Sequence, residues 1–158
     1  MTSSVGKGAR LFGHPMHPVL TDFPIALWST SLLADVAGVW RGEVVYREFA
    51  FWSIALGLIV AVPAIVAGLI DYAAIPQGHP AAKGATWHMW IMLGAASVFS
   101  CSLVAHIGRF DLSSFAIWLG IAFSAVGLIL LMVGGWLGGE MVFRYGIGSR
   151  DDSGMKGL

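Results

Sequence analysis

The chain has 158 residues, of which 57% are hydrophobic and 11% are charged, and its formal net charge is zero. A soluble domain carries about a quarter charged residues, so this chain has too few to cover a water-exposed surface. Nothing in the balance of acids and bases indicates a nucleic-acid partner. The single Cys101 cannot close an internal disulfide. Composition therefore predicts an integral membrane protein in contact with lipid.

Two histidines precede the first apolar segment, in the stretch GHPMHP at residues 13–18. Each proline restricts the residue before it to extended geometry, so we predict a stiff loop here rather than a helix. Thr21 or Asp22 can cap the helix that follows, with Pro24 in its first turn. Because histidine is the commonest metal ligand, the stretch predicts two ligand candidates at the mouth of a membrane helix.

Four apolar segments follow with short connections, at about residues 19–40, 49–71, 86–107 and 112–139. Spanning ~30 Å of hydrocarbon takes about 20 residues at ~1.5 Å each, which all four segments provide. Short connections make successive helices antiparallel. We therefore predict an all-α integral membrane fold, a four-transmembrane-helix up-down-up-down bundle. It forms one domain over residues 1–158, with short polar tails at both ends.

Basic residues are unequally divided between the two ends of this bundle. Because cytoplasmic loops are enriched in Lys and Arg, the bias places both termini in the cytoplasm. The end with the termini has Lys7, Arg10, Lys83, Arg144, Arg150 and Lys156, against Arg41, Arg47 and Arg109 at the other.

Small residues recur along one stripe of the second helix and one of the fourth. Such stripes let membrane helices approach closely, and they can also leave room for a flat ligand. Both interpretations stay open. The stripes are Gly57, Ala61, Ala64, Gly68 and Asp71, and then Gly120, Ser124, Gly127, Leu131, Gly134 and Gly138.

The predicted topology gathers polar side chains at the end where helices one and three begin. His106 lies at the other end of helix three, 18 residues after His88 and ~27 Å away. We expect an interfacial hydrogen bond for His106, solvation in a loop for His79, and a buried or interfacial contact for Asp35. The gathered residues are His14, His17, Asp71, His79, His88 and Glu140.

Three stretches carry a resemblance to a known family: GHPMHPVLTDFPI at 13–25, GLIDY at 68–72 and GGWLGGEMVFRYG at 134–146. They resemble a bacterial family of small four-helix membrane proteins, domain of unknown function twenty-two thirty-one, over roughly residues 11–148. Members of that family also occur joined to cytochrome-c-like or Rieske-type iron–sulfur domains. The resemblance implies electron transfer in a bacterial cytoplasmic membrane, with such a domain as redox partner. Tyr145 stands where the family often has histidine, so no ligand role is carried over there.

A b-type haem needs axial ligands from facing helices and a flat slot between them. His17 and His88 are the preferred pair, because helix direction gives them similar depth on two non-adjacent helices. His14, held away by Pro15, would orient the site. The basic residues placed to meet the haem propionates are Arg10, Lys83 and Arg144.

Two other readings stay open. A non-haem copper, zinc or iron site would use His14, His17 and His88 with Asp71 or Glu140. Alternatively, the chain is a structural subunit of a larger membrane complex, and homo-oligomerisation is undecided. No catalytic motif is present, so a redox carrier or subunit is favoured over a stand-alone enzyme. Transport is disfavoured, because no internal repeat is obvious in the sequence.

Overall fold

A computed structural model describes residues 8–108 and 115–147. Within them lie four helices that are long and apolar enough to cross a membrane, which confirms the predicted all-α membrane bundle. A two-stranded antiparallel hairpin precedes the first helix, and a single 3-10 turn, His106–Gly108, follows the third. The elements are β1 Arg10–Leu11, β2 His14–Pro15, α1 Met16–Arg41, α2 Val44–Ala73, α3 Ala82–Ala105 and α4 Phe115–Tyr145.

The first helix begins earlier than predicted. Its N-cap is Pro15, in extended geometry at φ −65° and ψ 128°, so the predicted caps at Thr21 and Asp22 are wrong. His17 and Pro18 lie in the first turn, where a proline is tolerated because the first N–H groups have no partner inside the helix. Pro24 lies in the helix interior and is buried. The predicted non-helical geometry therefore ends at Pro15, the second residue of β2, and His17 lies in the helix.

The other helix ends also differ from prediction. α2 begins at Val44 rather than about residue 49, and α4 continues to Tyr145 rather than about 139. α3 begins at Ala82 rather than about residue 86, and it ends at Ala105 rather than about residue 107. The predicted start of α4, residue 112, lies outside the described residues. The length of an apolar segment reflects the thickness of the hydrocarbon layer. The helix itself can continue beyond that layer into the interface with a polar turn.

The two helical hairpins, α1–α2 and α3–α4, are related by a pseudo-twofold axis. Three side-chain pairs connect α1 with α3: His17 with His88, Trp28 with Phe99, and Asp35 with His106. In each pair the partners are separated by the same 71 residues. A residue contacts its own counterpart where it lies close to a twofold axis. The chain therefore contains an internal structural repeat that was not obvious in the sequence.

The small-residue stripes accept large side chains from the partner helix of the same hairpin. A Cβ at Gly57 would collide with the Trp28 ring, and one at Gly127 would lie 2.5 Å from the Phe99 ring. These two aromatic rings stack on each other at 4.4 Å, with 15° between their planes. The close-contact interpretation of the stripes is therefore correct. The glycines contact side chains of α1 and α3, which brings these helices together at the axis.

Candidate cofactor site

His17 is held by α2 through a hydrogen bond and a glycine. Its Nδ1–H donates to the backbone oxygen of Ala64 at 2.8 Å. A Cβ at Gly68 would lie 2.8 Å from Cε1 of the same ring, so a side chain larger than hydrogen would displace the imidazole. A carbonyl oxygen can only accept, so Nδ1 carries the hydrogen. The lone pair of the neutral ring is then on Nε2.

His88 is held in the same way by α4. Its Nδ1–H donates to the backbone oxygen of Gly134 at 2.8 Å, and a Cβ at Gly138 would lie 3.2 Å from Cε1. The neutral ring again has its lone pair on Nε2. A backbone carbonyl on the other ring nitrogen is the partner that metal-bound histidines usually have, because it fixes tautomer and ring orientation. Both histidines thus have the hydrogen bonding that metal-bound histidines usually show.

The two imidazoles lie next to each other on the pseudo-twofold axis. Their ring centroids are 6.1 Å apart, and the ring planes are inclined at 87°. Two imidazoles that share one transition metal at about 2 Å each have ring centres roughly 6 Å apart. The separation therefore matches two ligands on opposite sides of one metal ion.

A cavity of about 320 Å³ adjoins both histidines, and its walls are mostly apolar. It continues along the axis to Trp28, eleven residues or about 16 Å from His17 along α1. All four helices line it, with Gly68 and Gly138 beside the imidazoles. The imidazoles fill the space that these two glycines leave, so the ligand interpretation of the stripes stays a prediction.

The remaining predicted site residues divide into two groups. Asp71 lines the cavity, and its Oδ1 accepts the backbone N–H of Ala9 at 2.6 Å, which ties the N-terminal segment to α2. The other five lie outside the cavity lining: Arg10, His14, Lys83, Glu140 and Arg144. Glu140 pairs with Arg144 at 2.8 Å, the guanidinium of Arg10 is 3.5 Å from the Gly13 oxygen, and His14 is exposed. Within residues 8–108 and 115–147, no three His, Cys, Asp or Glu side chains are grouped as metal ligands.

A family model described as predicted membrane protein (DUF2231) matches residues 13–151. The chain belongs to this family. The match covers most of the sequence and all four helices, so the resemblance noted from the sequence is confirmed. No curated protein and no solved structure matches the chain.

In this DUF2231 chain, His79 lies in the loop between α2 and α3 and has contacts beyond solvent. Its Nδ1 accepts the backbone N–H of Ala81 at 3.2 Å, and its ring centroid is 6.2 Å from that of Tyr145. The loop and the end of α4 therefore meet at the same end of the bundle as His17 and His88.

A second polar cluster at the opposite end was missed by sequence reasoning. His106 is buried rather than interfacial: its Nε2 is 2.9 Å from Oδ1 of Asp35, and its Nδ1–H donates to the Ser102 oxygen at 2.8 Å. Of the two readings of Asp35, the buried contact is correct. Arg47, counted among the flanking charges, is also buried. A signal was present, because Asp35 follows His17 by 18 residues, as His106 follows His88.

Proposed function

We propose that this protein binds a b-type haem between His17 and His88 and takes part in electron transfer within the membrane. The observation that carries the proposal is the paired imidazoles on the axis. Each donates Nδ1–H to a backbone carbonyl, and their ring centroids are 6.1 Å apart beside an apolar cavity. A bound haem would carry one electron at a time.

The residues present fit this group in number and in kind. A haem iron takes only its axial ligands from the protein, and the chain offers two imidazoles at the required separation. The apolar walls suit the macrocycle, and the missing side chains at Gly68 and Gly138 keep the imidazoles close to α2 and α4. The hydrogen bonds to Ala64 and Gly134 raise the donor strength of the rings.

Side chains below the imidazoles exclude water from the site. Trp28 lines the far end of the cavity and is buried, with its ring stacked on Phe99. Burial of this kind is one of the properties by which a protein sets a redox potential. The redox partner we propose is a cytochrome-c-like or Rieske-type protein that reaches the histidine end of the bundle. The observation behind it is that both imidazoles lie near the start of their helices, His17 as the second residue of α1 and His88 as the seventh of α3.

An absorption spectrum of the purified chain, oxidised and reduced, tests the proposal. We expect a low-spin bis-histidine haem spectrum that is lost or converted in His17→Ala and in His88→Ala. His79→Ala is the matched control and should keep it, since this histidine is in a loop outside the cavity lining. Haem absent from protein purified with haem supplied during expression would refute the proposal.

The second candidate is a copper(I) site in the same cavity. Met89, Met92 and Met141 line the cavity together with His17 and His88. Thioether and imidazole ligands suit copper(I). Metal analysis of the haem-free protein distinguishes the two, because copper bound in proportion to protein and lost in His88→Ala supports this candidate.

We also propose that the chain lies in a bacterial cytoplasmic membrane with the histidine end toward the cytoplasm, because basic residues predominate there. With Cys101→Ser as background, Glu43→Cys should react with a membrane-impermeant thiol reagent in intact cells, and Gln77→Cys should react only after permeabilisation. Both positions are exposed, in loops at opposite ends of the bundle. Labelling of Gln77→Cys alone in intact cells would reverse the orientation.

A further inference from the structure

Three ionisable side chains lie buried together at the end of the bundle opposite the cofactor site. Asp35 comes from α1, Arg47 from the beginning of α2, and His106 from the turn after α3. Their exposed fractions are 2%, 5% and 3%. We call them the Asp35–Arg47–His106 cluster. Ionisable groups at membrane depth are costly to bury and are functional by default, so this cluster requires an explanation of its own.

The hydrogen bonds of His106 fix the number of protons in the pair. The Ser102 carbonyl can only accept, so Nδ1 of His106 keeps its hydrogen. The other contact, Nε2 to Oδ1 of Asp35 at 2.9 Å, needs one hydrogen between two atoms that can each accept. The pair is therefore either imidazolium with carboxylate or imidazole with carboxylic acid. These two forms differ only in which atom carries the shared proton.

Three buried polar atoms of the cluster have no hydrogen-bond partner among the described residues. They are Oδ2 of Asp35 and the Nε and Nη1 atoms of Arg47. Arg47 packs against Gly38, one helical turn after Asp35, where a Cβ would lie 3.3 Å from its Cγ. Buried polar groups are satisfied by water when protein atoms do not reach them. An acceptor and two donors in one region make a site that water can bridge.

Access to the cluster is unequal from its two sides. Toward the cofactor site, the stacked rings of Trp28 and Phe99 fill the axis, and both residues are buried. Toward the other side, Arg47 is three residues from the start of α2, next to the exposed turn of Gly42 and Glu43. Ser102 and Ser124, the polar residues that α3 and α4 add beside His106, are not titratable. Among the described residues, the cluster is therefore closed toward the cofactor site and lies beside an exposed turn at the other end.

We propose that the Asp35–Arg47–His106 cluster is a proton-binding site that exchanges one proton with the aqueous phase at the end of the bundle opposite the histidine pair. In the step, a proton leaves the Asp35–His106 pair for water and returns by the same route. The charge of the cluster changes by one, and no electron is transferred. The site is independent of the haem proposal, because it uses none of the residues at His17 and His88.

Infrared spectroscopy of the reconstituted chain tests the proposal without a cofactor. Exposed carboxylates titrate in every variant, so the signal to measure is the part of the pH-dependent carboxyl and imidazole absorption that is lost in Asp35→Asn. Glu43→Gln is the matched control, because it removes an exposed carboxylate at the same end and should leave the Asp35 band unaltered. If Asp35→Asn removes no pH-dependent absorption over the pH range in which the fold is stable, the proposal is overturned.

A second variant serves if Asp35→Asn does not fold. The double variant Asp35→His with His106→Asp exchanges the pair across the pseudo-twofold axis. The new imidazole at position 35 then finds the backbone oxygen of Ser31, the counterpart of Ser102 and equally buried. This variant should fold and keep one titrating carboxyl band. A folded double variant whose carboxyl band does not respond to pH would contradict a proton site at this position.

Discussion

The imidazoles of His17, His88 and His106 differ in what contacts their Nε2 atoms. All three donate Nδ1–H to a backbone oxygen at 2.8 Å, and each ring occupies the space that a glycine leaves. In His106 the second nitrogen meets the carboxylate of Asp35. His17 and His88 line the cavity, and there we propose that the second nitrogen meets a ligand. The same local geometry thus serves two kinds of contact. The residue that lies opposite the imidazole across the axis determines which contact Nε2 makes.

Adding a methyl group at Gly68 should displace His17. A Cβ there would lie 2.8 Å from Cε1, whereas one at Gly138 would lie 3.2 Å from Cε1 of His88. We therefore expect Gly68→Ala to lower the free energy of unfolding by about 1–3 kcal/mol and to weaken cofactor binding. Gly138→Ala should have a smaller effect on stability, since a shift of the His88 ring by a few tenths of an ångström relieves the close contact. Melting in detergent and the absorption spectrum measure both effects.

Gly84→Ala on α3 is the control, because a Cβ there has no atom within 4 Å. It should melt as the unmodified chain does, or at a slightly higher temperature because alanine favours helix. Equal melting of Gly68→Ala and Gly84→Ala would show that the His17 ring is free to move away from α2.

The histidine pair was predicted from the sequence, whereas the buried Asp35–His106 pair was not, although its spacing was a signal. Helix direction alone places residues 17 and 88 at similar depth, and the structure brings their rings together. His106 has no histidine partner at its depth, and its actual partner is the carboxylate of Asp35. The extent of α1 was also mispredicted, since proline in a first turn does not oppose a helix. Which side chains meet between non-adjacent helices depends on how each helix is rotated about its own axis. The length of an apolar segment does not determine that rotation.

At the scale of the helix, the glycine stripes position the aromatic pair at the centre of the bundle. Trp28 contacts Gly57 within its own hairpin, stacks on Phe99 across the axis, and its Nε1 lies 3.3 Å from the Ile54 oxygen. Lipid provides no hydrophobic drive between helices, so contacts of this kind hold a membrane bundle together. The sequence predicted the stripes, but it did not indicate that they receive side chains from α1 and α3.

Removing the Trp28 ring should destabilise the bundle more than removing a ring at its surface. Trp28→Ala leaves a cavity between four helices, and losses of about 3–5 kcal/mol are usual for such a change in a packed core. Trp52→Ala is the control, because Trp52 is 56% exposed on α2. Thermal unfolding in one detergent compares the two. Similar melting temperatures would mean that the central stack contributes little to stability.

At the scale of the molecule, two similar hairpins meet at an axis with different chemistry at each end. Residues 57, 64 and 68 contact α1 as residues 127, 134 and 138 contact α3. The repeat was not apparent in the sequence because the counterparts differ in type: Trp28 with Phe99, Asp35 with His106. A shared backbone arrangement therefore supports a symmetric pair of imidazoles at one end and an acid–base pair at the other.

The two hairpins should stay together when the chain between them is cut. A protease site inserted between Gln77 and Gly78 lies in an exposed loop, where Gly78 has a φ of +79° and the backbone makes a turn. After cleavage in mild detergent, the halves should co-purify in equal amounts. The three side-chain pairs on the pseudo-twofold axis and the walls of the cavity join them independently of the loop. The same cleavage in Trp28→Ala should release a measurable fraction of separate halves. Complete separation of the halves in the unmodified chain would show that the loop, and not the axis, holds the hairpins together.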